Sequence, residues 1–218
     1  MAKNEPVKIL FHDNHLVIAE KPRGLLTQPT DLEPDSLEKR VKEWAKVAYQ
    51  KPGEVFLHVV HRLDQVVSGI VLFAKTSKAL TRLNAMQKEK KMTKHYIAEV
   101  EGLIQDDGKK LVHFLRHDEH KASVFTKPQN DALESTLIYK VIKRKANTTV
   151  VEIDLITGRY HQIRAQFSGI HHPVLGDVKY GAKKIQDEGI RLHHAFLEFI
   201  HPVTQEKISI YSKPDFID

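Results

Sequence analysis

The chain has 218 residues, with 34 Lys and Arg against 28 Asp and Glu, a formal net charge of +6 and no cysteine. Hydrophobic residues at 41% supply a sizeable core and exclude global disorder. The missing cysteine excludes disulfides, thiolate metal sites and a cysteine nucleophile, and the basic surplus suits a polyanion, most commonly nucleic acid.

The N-terminus, MAKNEPVKILFHD, lacks an apolar stretch of signal-peptide length, and no uncharged run approaches a membrane span. A soluble cytoplasmic protein is expected. There is no internal repeat, low-complexity tract or Gly/Ser/Pro-rich linker, so a single catalytic domain over residues 1–218 is expected, beginning at the apolar stretch Val7–Phe11.

The elements follow in chain order. Leu16–Glu20 reads as a strand. Asp35 with Glu38 three residues on resembles a capping box. The positions Leu37, Val41, Trp44, Ala45 and Ala48 then keep the spacing of one buried helix face. Gly69–Ala74 reads as a strand. A second helix runs from Ser77 through Leu80, Leu83 and Met86 to the lysines 88, 90 and 91, where cations suit the helix dipole. His95–Val100, Thr136–Ile142 and Thr149–Leu155 are further strands, the last two forming an antiparallel hairpin about Lys143–Thr148. Long helices are few and regular βαβ alternation is missing. The fold class expected is therefore α+β, with a largely antiparallel mixed central sheet flanked by helices and loops.

Three segments carry chemistry. In HRLDQVVSGIVLFAKT, residues 61–76, Arg62 and Asp64 stand just ahead of the apolar strand, and Ser68-Gly69 supplies a turn or close backbone approach. A carboxylate so placed is held on a rigid element, although a surface ion pair flanking a turn would look the same. In TGRYHQIRAQFSGIHHPVLGDVKYG, residues 157–181, a helix over Tyr160–Ser168 puts Ile163 and Phe167 on one face and His161 and Arg164 on another, with Arg159 at its start. Guanidinium groups there suit phosphate or carboxylate, and an amphipathic helix with a solvated basic side fits equally. In MTKHYIAEVEG, residues 92–102, alternation sets Tyr96, Ala98 and Val100 opposite His95, Ile97 and Glu99.

His113, His117 and His120 have helix-compatible spacing, but no HExxH pattern joins them; solvated histidines in a basic loop are expected, and no metal site. Walker A, GxGxxG and GxSxG sequences are absent, which removes the usual signals of nucleotide hydrolysis, dinucleotide redox and serine hydrolase chemistry.

Taken together these blocks resemble the RluA-type family of pseudouridine synthases. HRLD…SG…LFAKT resembles its catalytic motif, KHYIAEVEG its Lys-x-Tyr strand, and TGRYHQIR with PVLGDVKYG its third motif. LVIAEKPRGLLTQP at 16–29 and LHHAFLEFIHP at 192–202 are similar to its opening and closing blocks. The resemblance implies the pseudouridine synthase fold and the isomerisation of uridine in rRNA or tRNA. It implies Asp64 as essential carboxylate, Tyr96 stacking on the target base and Arg164 holding Asp64 by an ion pair. Arg62 would fill the space left by the flipped nucleotide, and His61, Arg159, His161, Gln162 and Ile163 would bind substrate. Cofactor, nucleotide and membrane partner are not expected, and a monomer is. The small N-terminal RNA-binding domain of larger members is expected to be missing. Three positions depart from the family pattern: Val67 stands where Thr is usual, Gln166 where His is frequent, and His171 where Gly is common.

Two rival readings differ in class. A non-catalytic RNA-binding module would have lost one of Asp64, Tyr96 or Arg164. A glycosidase or nucleosidase would want a second positioned acid, for which Asp177 is the one tempting candidate, read here as structural.

Overall fold

The computed structural model describes residues 6–50, 52–186 and 189–217. In chain order its elements are β1 (Lys8–His12), β2 (Leu16–Lys21), α1 (Leu37–Ala48), β3 (His58–Val59), β4 (Ser68–Ala74), α2 (Ser77–Lys88), β5 (Thr93–Glu101) and β6 (Gly108–Asp118). There follow β7 (Lys121–Phe125), β8 (Leu133–Arg144), β9 (Thr148–Asp154), α3 (Gln162–Gly169), a 3-10 turn at Val178–Tyr180, β10 (Leu192–Ile200) and β11 (Lys207–Tyr211). Every strand pair whose register is described is antiparallel. The mixed α+β, largely antiparallel class expected from sequence is the one observed. No helix among the described residues is long and apolar enough to cross a membrane.

The chain forms two compact units and passes between them after Met92, within β10 at Ala195/Phe196, and after Lys213. In the first unit β1 pairs β2, β2 pairs β4, the short β3 also pairs β4, and β11 pairs the Phe196–Ile200 part of β10. All seven residues of β4 are buried, which is why it reads in sequence as a continuous apolar run instead of an alternating one. Leu16, Ile18, Ile70 and Leu72 pack with Ala79 and Leu83 of α2 and with Leu197 and Phe199 of β10. Each large side chain so removed from water contributes roughly 1.5–3 kcal/mol.

Helix α1 begins one residue later than the capping box predicted. Its cap is Ser36, whose hydroxyl accepts from Lys39 N at 3.2 Å in place of an Asp35 carboxylate. Asp35 instead receives the Arg40 guanidinium through Nε at 3.0 Å and Nη2 at 2.6 Å. Leu37, Val41 and Ala45 form the buried face as expected, whereas Ala48 is exposed.

In the second unit the strand order is β5-β9-β8-β6-β7. The β8–β9 hairpin is present, with β8 longer than predicted, β9 shifted one residue towards the N-terminus and Lys145 N bonding Thr148 O across the turn. Of the three histidines expected in a basic loop, His113 and His117 lie on strand β6, and His120 lies in the turn to β7. Along β6, Leu111, His113 and Leu115 face inward at period two while Val112 is exposed. Helix α3 corrects the reading of residues 160–168: it starts at Gln162, and His161 precedes it in the left-handed region at φ 52°. Residues 162–167 are all buried, so the helix has no solvated basic side.

The two readings of the α1 cap separate experimentally. Ser36 is fully buried and satisfies an orphan helix N–H, so Ser36→Ala is expected to cost about 1 kcal/mol in chemical denaturation. Asp35→Ala removes only a half-exposed ion pair and should cost less than half of that.

Candidate active site

In the first unit, Asp64 lies in the loop between β3 and β4, four residues ahead of Ser68. This loop has no ladder of its own, so its backbone must find partners elsewhere. They come from the segment following β2. Thr27 Oγ1 donates to Leu63 O at 2.8 Å and accepts from Leu63 N at 3.1 Å, which fixes the residue before Asp64 from both sides. Gly24 N donates to Gln65 O at 2.9 Å, and Gln65 Nε2 returns a bond to Gly24 O at 3.0 Å. Gly24 has φ 83°, a conformation that glycine adopts without a Cβ penalty. Val67 N closes a turn onto Asp64 O at 3.0 Å. The result is a half-buried carboxylate on a tied loop, with His61 and Leu63 buried and Arg62 exposed.

Lys21, at the end of β2, was not singled out by the sequence reading. It is fully buried, and its ammonium donates to Pro22 O at 3.0 Å, Leu25 O at 2.7 Å and Gln65 O at 3.0 Å. Three carbonyl acceptors match the three N–H donors of a charged lysine. Burial nonetheless pulls its pKa down to about 7, while the neighbouring Asp64 carboxylate acts to raise it. A lysine inside an apolar opening block gives little sequence signal, because its partners are main-chain atoms.

In the second unit, Tyr96 stands on β5 opposite Ile153 of β9 and is buried to 7% exposure. Its ring stacks on His194 of β10 at 4.5 Å between centroids and 18° between planes. Lys94, two residues before it, has its pKa lowered by burial to about 8.

The TGRYHQIR segment divides its roles. Gln162, 3% exposed, accepts from Thr157 Oγ1 at 2.8 Å and Arg159 N at 3.0 Å and donates to Thr136 O at 3.1 Å, which moors the start of α3 to β8. Ile163 is buried, and Arg159 is exposed. Arg164, 4% exposed, makes a bidentate pair with Asp177 through Nε at 2.6 Å and Nη2 at 2.9 Å. Tyr180 brings His161 and Arg164 together: its hydroxyl meets His161 Nδ1 at 2.9 Å and its ring lies 5.1 Å from the guanidinium carbon. Burial pushes the Tyr180 phenol up to about 12, so it stays protonated. The sequence reading quoted Tyr180 within a motif without giving it a part.

Two departures from the family pattern acquire reasons. Gln166, fully buried, donates to Ser135 O at 3.2 Å and meets His113 Nδ1 at 3.1 Å, tying α3 to the sheet. His171 has φ 64°, the left-handed region where the usual glycine would sit unstrained. Among the described residues no group of three or more His, Asp or Glu gathers as a metal site.

Comparison with known proteins supplies the family. Residues 15–169 match the family model described as RNA pseudouridylate synthase. The dual-specificity RNA pseudouridine synthase RluA of Pasteurella multocida is 33% identical over 213 residues, covering 95% of this chain and 93% of its own. The ribosomal large subunit pseudouridine synthase C of Vibrio cholerae is 30% identical over 212 residues, 94% of this chain but 64% of that longer protein. A human structure, RNA pseudouridylate synthase domain containing 4, superposes with a TM-score of 0.79 at 22% identity, covering 96% of this chain and 89% of that one. The chain belongs to the RluA-type branch of the RNA pseudouridylate synthases, a family of RNA isomerases, and its fold is the pseudouridine synthase fold.

Two measurements probe these anchors. Asp177→Asn removes the charge opposite a buried guanidinium and is expected to lower stability by about 3–5 kcal/mol, read from urea midpoints. For Lys21, the folded pKa of about 7 lies below that of an unfolded lysine, so the unfolded chain binds more protons between the two values. Native stability measured relative to Lys21→Met should therefore rise from about pH 7 to about pH 10. A flat difference across that window would mean the ammonium is buried at no cost.

Proposed function

We propose that this chain isomerises uridine to pseudouridine in ribosomal or transfer RNA, with Asp64 as the essential carboxylate. The observation that carries the reading is the half-buried Asp64 on a loop tied at Leu63, Asp64 O and Gln65, beside the buried Lys21 ammonium. A group that must meet a sugar or base in one geometry needs such fixing, since a misplacement of about 1 Å costs on the order of a hundredfold in rate. The RNA classes are supported by the relatives' names, one a large-subunit ribosomal synthase and the other a dual-specificity RNA synthase.

The chemistry is internally balanced. The N1–C1′ bond of uridine breaks, the uracil turns in place, C5 bonds to C1′, and the proton on C5 is lost as N1 gains one. No electron acceptor or energy donor enters, so the proposal includes no cofactor. The target base must leave its stack before any of this occurs. Tyr96, whose ring is already ordered against His194, offers an aromatic face for it. Arg62, exposed one residue after His61, is suited to fill the vacated space. Arg159, exposed at the approach to α3, is suited to a phosphate. Arg164 is assigned to the carboxylate by family resemblance, and its bidentate pair with Asp177 holds its guanidinium in orientation. His61, His161, Gln162 and Ile163 serve substrate binding through the loop and helix start that they shape.

The test is tritium release from RNA labelled at uridine C5, on separate tRNA and rRNA pools. Native protein should release tritium, Asp64→Ala should release none while keeping its fold and most RNA affinity, and Tyr96→Phe should keep partial turnover. Substantial release by Asp64→Ala would remove that residue from the role.

A further inference from the structure

The His117, Tyr160 and His161 rings form a continuous column within the second unit. Tyr160 stacks on His161 at 3.8 Å and 18°, and His117 of β6 leans on Tyr160 at 4.0 Å and 45°. The inner end of the column is anchored. His161 is held by its Nδ1 contact to the Tyr180 hydroxyl, that hydroxyl also accepts from Ala122 N at 2.7 Å, and Tyr180 is itself buried. The outer end is open to solvent: Tyr160 is 41% exposed and His117 is exposed. Neither ring is needed for the core described above, which leaves an ordered aromatic surface standing in water.

Its surroundings are basic. His117 lies opposite Ala122 in the β6–β7 pair, and both Ala122 and Tyr180 line an adjoining groove of about 680 Å³. Arg116, Lys121 and Lys179 also line this groove. Asp118 engages Arg116 at 2.9 Å, and Lys179 donates to His120 O at 3.1 Å, so both cations are oriented while Lys121 is exposed. A preformed aromatic face next to a cationic groove combines the two elements that hold single-stranded nucleic acid: a stacking platform tolerant of base identity and a track for phosphates. A duplex offers its phosphates but no open base face, so the column adds nothing for paired RNA.

We propose that this column and groove form a subsite for an unpaired nucleotide of the substrate RNA, its base stacking on Tyr160 and His117 and its phosphates lying along Arg116, Lys121 and Lys179. The subsite rests on the RNA-modifying reading above and extends it, because it selects substrates that present an unpaired nucleotide besides the target uridine.

The experiment uses the whole chain and a short single-stranded RNA carrying one 2-aminopurine, with a duplex of the same length as competitor. Stacking should quench the probe on binding to native protein and to Tyr160→Phe. Tyr160→Ala should bind about five- to a hundredfold more weakly and lose the quench, since one base–aromatic stack is of that size. Thermal unfolding of Tyr160→Ala should match native, as expected for an exposed side chain. Lys121→Ala should weaken binding, keep the quench and lower the salt slope by about 1. Native quenching and affinity in Tyr160→Ala, or equal competition by the duplex, would overturn the subsite. Tritium release measured in parallel keeps the two readings apart: its absence from native protein counts against the synthase reading, whereas the quench lost between native protein and Tyr160→Ala reports on the column.

Discussion

A loop without secondary structure must still satisfy its buried main-chain groups, and in this chain that constraint organises the surroundings of Asp64. The residues on either side of it, Leu63 and Gln65, are bonded by Thr27 and Gly24, from the stretch that follows β2, and by Lys21 at the end of that strand. The Lys21 ammonium does the most. It joins three carbonyls that are up to 44 residues away in sequence and places a positive charge near the carboxylate. Desolvating a lysine is expensive, and the cost is tolerated because the three acceptors and a nearby anion offset part of it. An uncharged residue of the same size would take this donor from all three carbonyls and leave Gln65 O with its bond from Gly24 N.

The second unit solves a similar problem with an ion pair. Arg164 and Asp177 are each at most 5% exposed, and their bidentate geometry orients the guanidinium as a neutral contact would not. Around the pair, Tyr180 couples α3, the Ala122 backbone and His161, so that α3, the β6–β7 hairpin and the Asp177 turn brace one another. Gln162 and Gln166 extend the bracing to β8. The polar residues of the third motif thus divide between those that hold the helix and those, such as Arg159 and Tyr160, that face solvent.

Where sequence and structure diverge, the reason is the same in each instance. Asp35 and Ser36 are both good helix caps, and the choice of Ser36 depended on Arg40 folding back to claim the Asp35 carboxylate. Strand β6 escaped notice because His113 occupies an inward position that would normally be apolar. Its imidazole is acceptable there because Gln166 donates to it, and burial correspondingly lowers its pKa. For α3 the sequence left a carboxylate- or phosphate-binding face and a solvated basic side equally open, and Asp177, thirteen residues on, covers Arg164.

The sequence by itself determined what depends on neighbours along the chain: the apolar strands β2 and β4, the helix faces of α1 and α2, the β8–β9 hairpin, and the family blocks in their order. Hydrophobic periodicity and turn chemistry are local, and so they can be read directly. Only the tertiary structure decided which polar groups are buried and with whom they pair. Lys21 with Gln65, Arg164 with Asp177 and the His117–Tyr160–His161 column each join residues remote in sequence or hidden inside a motif. A charge or imidazole in a sequence looks the same whether it faces water or a partner, and the free energy that distinguishes the two comes from contacts that exist only once the chain has folded.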